Sequence, residues 1–128
     1  MNTIKKMKLS RLQKTILLLA LEKANRRRKG LIPPLPPMWS YITDKINKTD
    51  VTPVDVKVAY YGFPLRPKGR KIFFSKADMG SKRYNTASVD INRAFEHLAR
   101  KGLAERIYGY GIGLTEKGRE VAKQIRKS

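Results

Sequence analysis

The run NTASVDINRAFEHLARKG, residues 85–102, leaves the rest of the chain few ways to fold. With successive residues about 100° apart around a helix axis, Ala87, Ile91, Ala94, Phe95 and Leu98 fall on one narrow apolar face. Asn85 or Thr86 offers a cap at the start. Arg100 and Lys101 suit the last turn, and Gly102 stops it. An amphipathic helix is therefore predicted with one side to bury and another, Asn85, Thr86, Val89, Arg93, Glu96 and Arg100 with Asn92 on its flank, to leave outside. Directly after the stop, the strand-like runs LAERIY and IGL flank Gly109-Tyr110-Gly111. Both glycines are expected at positive φ in a three-residue hairpin loop. So small a hairpin is marginal in water by itself. It is expected to lean on the end of the preceding helix and to take KIFF, residues 71–74, as a third strand.

Upstream, Ser75-Lys76-Ala77-Asp78 reads as a helix cap with a carboxylate three residues on, predicting a short helix over about 76–82. A short helix, a tight turn through Arg83 and Tyr84, and a long helix make a helix-turn-helix pattern. With the hairpin and a last helix over 115–128, the expected fold is mainly α with a small antiparallel sheet (α+β), a winged helix-turn-helix. The expected organisation is a single domain, 1–128, with a basic arm at 1–8, a proline-rich and basic insertion at 31–70, the helix-turn-helix at 75–101 and the wing at 103–114.

Ser10 and Gln13 form a capping-box pattern, so a first helix should begin near Arg11. Leu12, Ile16, Leu19 and Lys23 lie along one stripe, and Leu17, Leu18, Leu21 and Ala24 widen it. Arg26 to Lys29 suit the helix dipole, and Gly30 ends the element. LIPPLPPMW reads as a stiff extended linker. A helix over about 38–47 follows from the spacing of Trp39, Ile42 and Ile46. Thr52-Pro53-Val54-Asp55 predicts another from Pro53 to about Tyr61, ended by Gly62 and Pro64. LRPKGRK reads as a basic loop.

INRAFEHLARKGLAER followed by LTEKGREVA resembles the second half of the MarR/PadR-like winged-helix transcription regulators, over about residues 71–125. The resemblance implies a dimeric protein that binds duplex operator DNA and lays the long helix in the major groove.

Charge points the same way without any family. The chain carries 29 Lys and Arg against 10 Asp and Glu, a net +19, so a polyanionic partner is expected. An α-helix fills the major groove, where arginine reads guanine and asparagine reads adenine. Asn92 and Arg93 are the expected base-edge readers, with Asn85, Thr86 and Ser88 near the helix start. Val89 points outward, where a thymine methyl would use it. Lys76, Lys82, Arg83, Tyr84, Arg100, Arg106 and the wing residues Tyr108 and Tyr110 are expected to hold phosphates and sugars. The partner is therefore expected to be double-stranded DNA. The alternatives are an RNA-binding winged helix of ribosomal type and a non-specific DNA-binding or replication accessory protein.

No enzyme, cofactor or metal is expected. There is no cysteine, the one histidine, His97, is isolated, and the spacing of Asp44, Asp50 and Asp55 matches no cation loop. The apolar run Ile16 to Leu21 is too short for a secretory leader or a span, so a cytoplasmic protein with no membrane contact is expected. The Leu17, Leu18 and Leu21 side of the first helix would be an exposed apolar patch, and the last helix, with Val121, Ala122 and Ile125, can return to it. A homodimer through these two helices is expected. Its rival is a monomer in which segment 38–61, carrying Trp39, Ile42 and Tyr60, covers the leucines.

Overall fold

A computed structural model describes residues 8–31, 40–63, 66–68, 71–73 and 81–127. In chain order the elements are α1 (Arg11–Arg28), α2 (Ser40–Lys48), α3 (Pro53–Ala59), β1 (Arg66–Lys68), β2 (Lys71–Phe73), α4 (Ser81–Arg100), β3 (Ala104–Ile107), β4 (Gly111–Leu114) and α5 (Glu116–Lys127). The described chain is mainly helical, with two antiparallel two-stranded sheets. None of its helices is long and apolar enough to cross a membrane.

Side-chain caps start three of the described helices. The Ser10 hydroxyl accepts from the Gln13 N–H at 3.1 Å, and the Gln13 amide oxygen accepts from the Ser10 N–H at 3.0 Å. Thr52 and Asp55 close the same reciprocal box at 3.2 and 3.0 Å, with Pro53 in the first turn. Gly30 and Gly102 end α1 and α4 in the left-handed region, at φ 72° and 76°. Thr115 starts α5: its hydroxyl donates to the Gly102 carbonyl at 2.6 Å and accepts from the Gly118 N–H at 3.0 Å.

The main core is one cluster, with a second, smaller one formed by Phe63 and Ala87. Ile16, Leu17 and Leu21 of α1, Val56 of α3, Ile91, Phe95 and Leu98 of α4, Leu103, Ile112, and Val121 of α5 are all fully buried. Each contributes about 1.5–3 kcal/mol of apolar burial. Ala87 and Ala94 complete the inward face of α4 as its periodicity requires. In α1 the inward stripe is Gln13, Ile16, Leu17, Ala20 and Leu21. The stripe expected through Leu12, Leu19 and Lys23 is displaced to the edge, because α5 and α4 both pack on the other side. Leu17 and Leu21 are thereby covered within the chain, chiefly by α5, and do not form the exposed patch expected of them.

Three further expectations are corrected. The long helix begins at Ser81, not at Asn85 or Thr86, so Lys82, Arg83 and Tyr84 lie in its first turn rather than in a connecting turn. Tyr84 stacks on Phe63 with ring centroids 6.5 Å apart, and this contact with the segment after α3 extends the helix past its local cap signal. The expected short helix over 76–82 has residues 76–80 outside the described residues, and 81–82 belong to α4. Thirdly, β2 does not join the wing. It pairs with β1 in a local hairpin, Arg66↔Phe73, Pro67↔Ile72 and Lys68↔Lys71, which needs far less chain ordering than a distant partner. The wing strands pair with each other, and the third member is Val51, bridged to Ile112. The linker at 32–39 lies outside the described residues, as does Phe74.

The wing hairpin has a three-residue loop, but it is Tyr108-Gly109-Tyr110, one residue before the expected Gly109-Tyr110-Gly111, because Gly111 pairs with Ile107 as the first residue of β4; the Tyr110 N–H donates to the Ile107 carbonyl at 3.0 Å. Only Gly109 has positive φ, at 89°. Gly111 is glycine for another reason: a Cβ there would collide with the Val51 carbonyl oxygen.

Candidate nucleic-acid interface

What the core leaves uncovered on α4 is a continuous polar arc. Asn85, Thr86, Val89, Asn92, Arg93 and Arg100 are exposed, as are Lys82 and His97, and they span about 140° of the helix circumference. Val89 is 48% exposed in the middle of this arc. Every other apolar residue of the helix except Ala99 and Tyr84, which are half-buried, faces the core. Ser88 stands at the edge, half-buried, its hydroxyl donating to the Tyr84 carbonyl at 3.1 Å. Of the expected base readers it is the one already engaged within the helix.

Asn92 and Arg93 lean to opposite sides of the arc. Asn92 borders a cleft of about 260 Å³ between α4 and the wing, lined also by Pro53, Arg106 and Tyr110. Arg93 borders a shallow depression with Tyr60, Asp90 and His97 at the start of α1. The structure thus brings Asn92 together with the wing and sets Arg93 apart from it. Gln13 of α1 lies 3.5 Å from the His97 ring, closing that second side.

The expected phosphate ligands divide into free and engaged groups. Lys82 and Arg100 are exposed on the arc, and Tyr108 at the wing tip is 69% exposed, with Tyr110 half-buried beside it. Lys76 lies outside the described residues. Arg83 and Tyr84 are drawn into a small aromatic cluster with Tyr61 and Phe63. The Arg83 guanidinium lies 4.9 Å from the Phe63 ring centre and donates to the Tyr61 carbonyl at 3.2 Å. The Lys57 ammonium, on a residue only 6% exposed, sits 4.1 Å from the Tyr84 ring centre. Burial pushes the Tyr61 phenol up, and the Asp90 carboxylate adds to it. Sequence periodicity could not have found this cluster, since 60–63 follow the end of one helix and 83–84 begin another.

Arg106 is the largest departure from expectation. Its guanidinium reaches inward from β3, donating to the Asn92 carbonyl at 3.3 Å and pairing with Glu96 at 3.4 Å. It also lies over Phe95 at 5.6 Å and Tyr108 at 5.4 Å. The side chain is only 18% exposed, so it braces the wing against α4 rather than standing out toward solvent. It also pairs with Glu96, an acidic residue that lies within the polar arc beside Val89.

A second brace holds the other side of the wing. Asp50, 7% exposed, accepts the Leu114 N–H at 2.7 Å and pairs with Arg27 of α1 at 2.9 Å. Arg27 also donates to the Thr49 carbonyl. Burial pushes the Asp50 carboxyl up from its ordinary value, while the Leu114 N–H and the Arg27 charge pull it back. Asp44 pairs with Lys48 at 3.0 Å, and Asp55 serves its cap.

No protein-family model, curated protein sequence or solved structure matches this chain.

Proposed function

We propose that this chain is a winged-helix protein that binds double-stranded DNA, with α4 as the helix that enters the major groove and β3–β4 as the wing beside it. The observation that carries the reading is the exposed arc of α4. Asn85, Thr86, Asn92 and Arg93 surround an outward valine on a helix whose opposite side is fully committed to the core. That mixture of amide, hydroxyl, guanidinium and methyl groups suits base edges. In this reading α3, which packs on α4, takes the place first assigned to a helix at 76–82. The element order α1, the Val51 bridge strand, α3, α4, β3 and β4 then supports a winged helix. Transcription regulation, of the MarR/PadR-like kind, is the role this reading carries.

The assembly that goes with it is a two-fold dimer through α1 and α5. With Leu17 and Leu21 buried, its apolar contacts are Leu18 and Leu31, which line a groove of about 570 Å³ between these helices. Arg26, Lys29 and Arg126 border the same groove, so like charges oppose pairing and salt should favour the dimer while weakening DNA binding.

Selection from a random duplex pool tests the function directly. A shared motif should emerge, and Arg93→Ala should lose about 1–3 kcal/mol on it and relax one base pair, while Lys82→Ala weakens all sequences alike. Recovery of no motif, or an unchanged ratio of specific to non-specific binding in Arg93→Ala, refutes base reading by α4. Preference for an RNA duplex over the same DNA sequence refutes the choice of DNA.

A further inference from the structure

One carboxylate stands in the middle of the exposed arc of α4. At about 100° per residue, Glu96 projects about 20° from the direction of Val89, between Val89 and Asn92, and lies about 6 Å beyond Asn92 along the axis. Its side chain is 42% exposed. The other acid of the helix, Asp90, is half-buried and borders the depression shared with Arg93 and Tyr60. A negative charge at the centre of a face that meets a polyanion repels phosphates. In a chain of net charge +19, affinity alone gives no reason for it.

Holding Arg106 does not account for it either. That guanidinium already donates to the Asn92 carbonyl at 3.3 Å and lies over the Phe95 and Tyr108 rings. Its contact with Glu96 is long, 3.4 Å from Nη1 to Oε1, where a charge-assisted bond in good geometry is about 2.7–2.9 Å. The buried Nε of Arg106 has no acceptor, so the carboxylate does not form the two-pronged pair that a dedicated counter-ion would make. Arg106 is the one partner of Glu96 among the described residues, and a carboxylate can accept about four hydrogen bonds. Glu96 is therefore restrained from the wing side and keeps acceptor capacity for something outside the chain.

A carboxylate accepts and cannot donate. On the major-groove edges of bases the donors are the amino groups of cytosine and adenine, while guanine presents two acceptors and thymine an acceptor and a methyl. Adenine sets an acceptor next to its amino group, which an amide matches and a carboxylate opposes. Cytosine offers the amino group alone. We infer that Glu96 reads a cytosine by accepting from its amino group, with Arg106 as the positioning residue that restrains the carboxylate. The inference rests on the duplex-binding reading above and adds a third base reader to Asn92 and Arg93. Because Tyr108 of the wing loop lies against the same guanidinium, it also links the wing to a base contact.

The test is selection from a random duplex pool with the full chain, as wild type and as Glu96→Gln. Wild type should select a cytosine within about two base pairs of the position that Asn92→Ala relaxes, since about 6 Å of helix spans about two base-pair steps. Its preference over guanine or thymine should be about tenfold. Glutamine keeps an acceptor for Arg106 and adds an amide donor that suits adenine. Glu96→Gln should therefore lose the cytosine preference about tenfold, gain adenine at that position, and bind unrelated duplexes more tightly because a negative charge is gone. Arg106→Lys keeps the charge but not the planar fork, and should lose part of the cytosine preference while keeping that at the base pair read by Arg93. A Glu96→Gln variant that binds all duplexes more tightly with unchanged base preferences shows a counter-ion only and overturns the inference. So does a wild-type motif with no cytosine in that window, a result that needs no variant to fold. Both outcomes leave duplex binding intact, whereas recovery of no motif from the wild type overturns base reading by α4 itself.

Discussion

Asp50 is the residue whose removal should most clearly separate the wing from the body. Its carboxylate is 7% exposed and satisfies two groups at once, the Leu114 N–H of β4 and the Arg27 guanidinium of α1. Asp50→Ala leaves the Leu114 N–H without its acceptor, at about 1–3 kcal/mol. It also leaves Arg27, only 27% exposed, beside no counter-charge, although the Thr49 carbonyl still accepts from it. Together these predict a loss of about 2–4 kcal/mol, short of the ~3–5 kcal/mol for breaking a fully buried pair. For a chain of this size that lowers Tm by on the order of 10 °C. Asp50→Asn keeps an acceptor for the Leu114 N–H and should cost about 1 kcal/mol less than the alanine variant.

The pH dependence has a definite sign. Burial raises the folded-state pKa of Asp50 above its ordinary 3.8, so the folded protein holds that proton more tightly than the unfolded chain does. The proton-linked part of the residue's contribution is therefore fullest below pH 3.8 and is lost as pH rises through the raised folded value, while the contacts to Leu114 and Arg27 remain. The advantage of wild type over Asp50→Asn should widen as the solution is acidified from neutrality toward that range. Urea titrations followed by circular dichroism measure both effects, with an unchanged m-value as the condition for comparing them. Amide exchange at Leu114 should accelerate in Asp50→Ala before the core amides do. An alanine variant within about 0.5 kcal/mol of wild type, or an advantage over Asp50→Asn that shrinks on acidification, refutes the role given to this carboxylate.

Two further outcomes follow from the same contacts. Gly118 lies in the first turn of α5, where helix propensity alone would make alanine about 1 kcal/mol more stable, but a Cβ there would strike the Leu103 carbonyl oxygen. Gly118→Ala should therefore destabilise by about 2–3 kcal/mol in thermal melts, and a stabilised variant would refute the close approach of α5 to the start of the wing. Leu18→Glu should abolish the proposed dimer without lowering Tm by more than about 3 °C, since Leu18 is only half-buried in the chain itself. Light scattering that finds a monomer in wild type at high salt, where the cationic rim is screened, excludes the α1–α5 dimer.

Local rules carried far along this chain. The inward face of α4, the boxes at Ser10–Gln13 and Thr52–Asp55, the glycine stops at Gly30 and Gly102 and the three-residue wing are all legible as spacing, since each depends on residues within a turn or two of one another. The exposed residues of the polar arc were legible for the same reason, being the complement of a clear apolar stripe. Contacts between distant segments were not. Asp50 meets Leu114 across 64 residues and Gln13 meets His97 across 84, and no periodicity links such pairs. The strand that joins the wing is a single bridged residue, Val51, too short to leave a pattern, so KIFF was the better strand by composition and the wrong partner by topology. Arg106 reads in sequence as one cation among many. Only the approach of β3 to α4, which places Glu96, Phe95 and the Asn92 carbonyl around it, makes it a brace rather than a phosphate ligand. In the same way, only the return of α5 onto α1 decided that Leu17 and Leu21 are core, because an apolar helix face records that something must cover it but not which segment does.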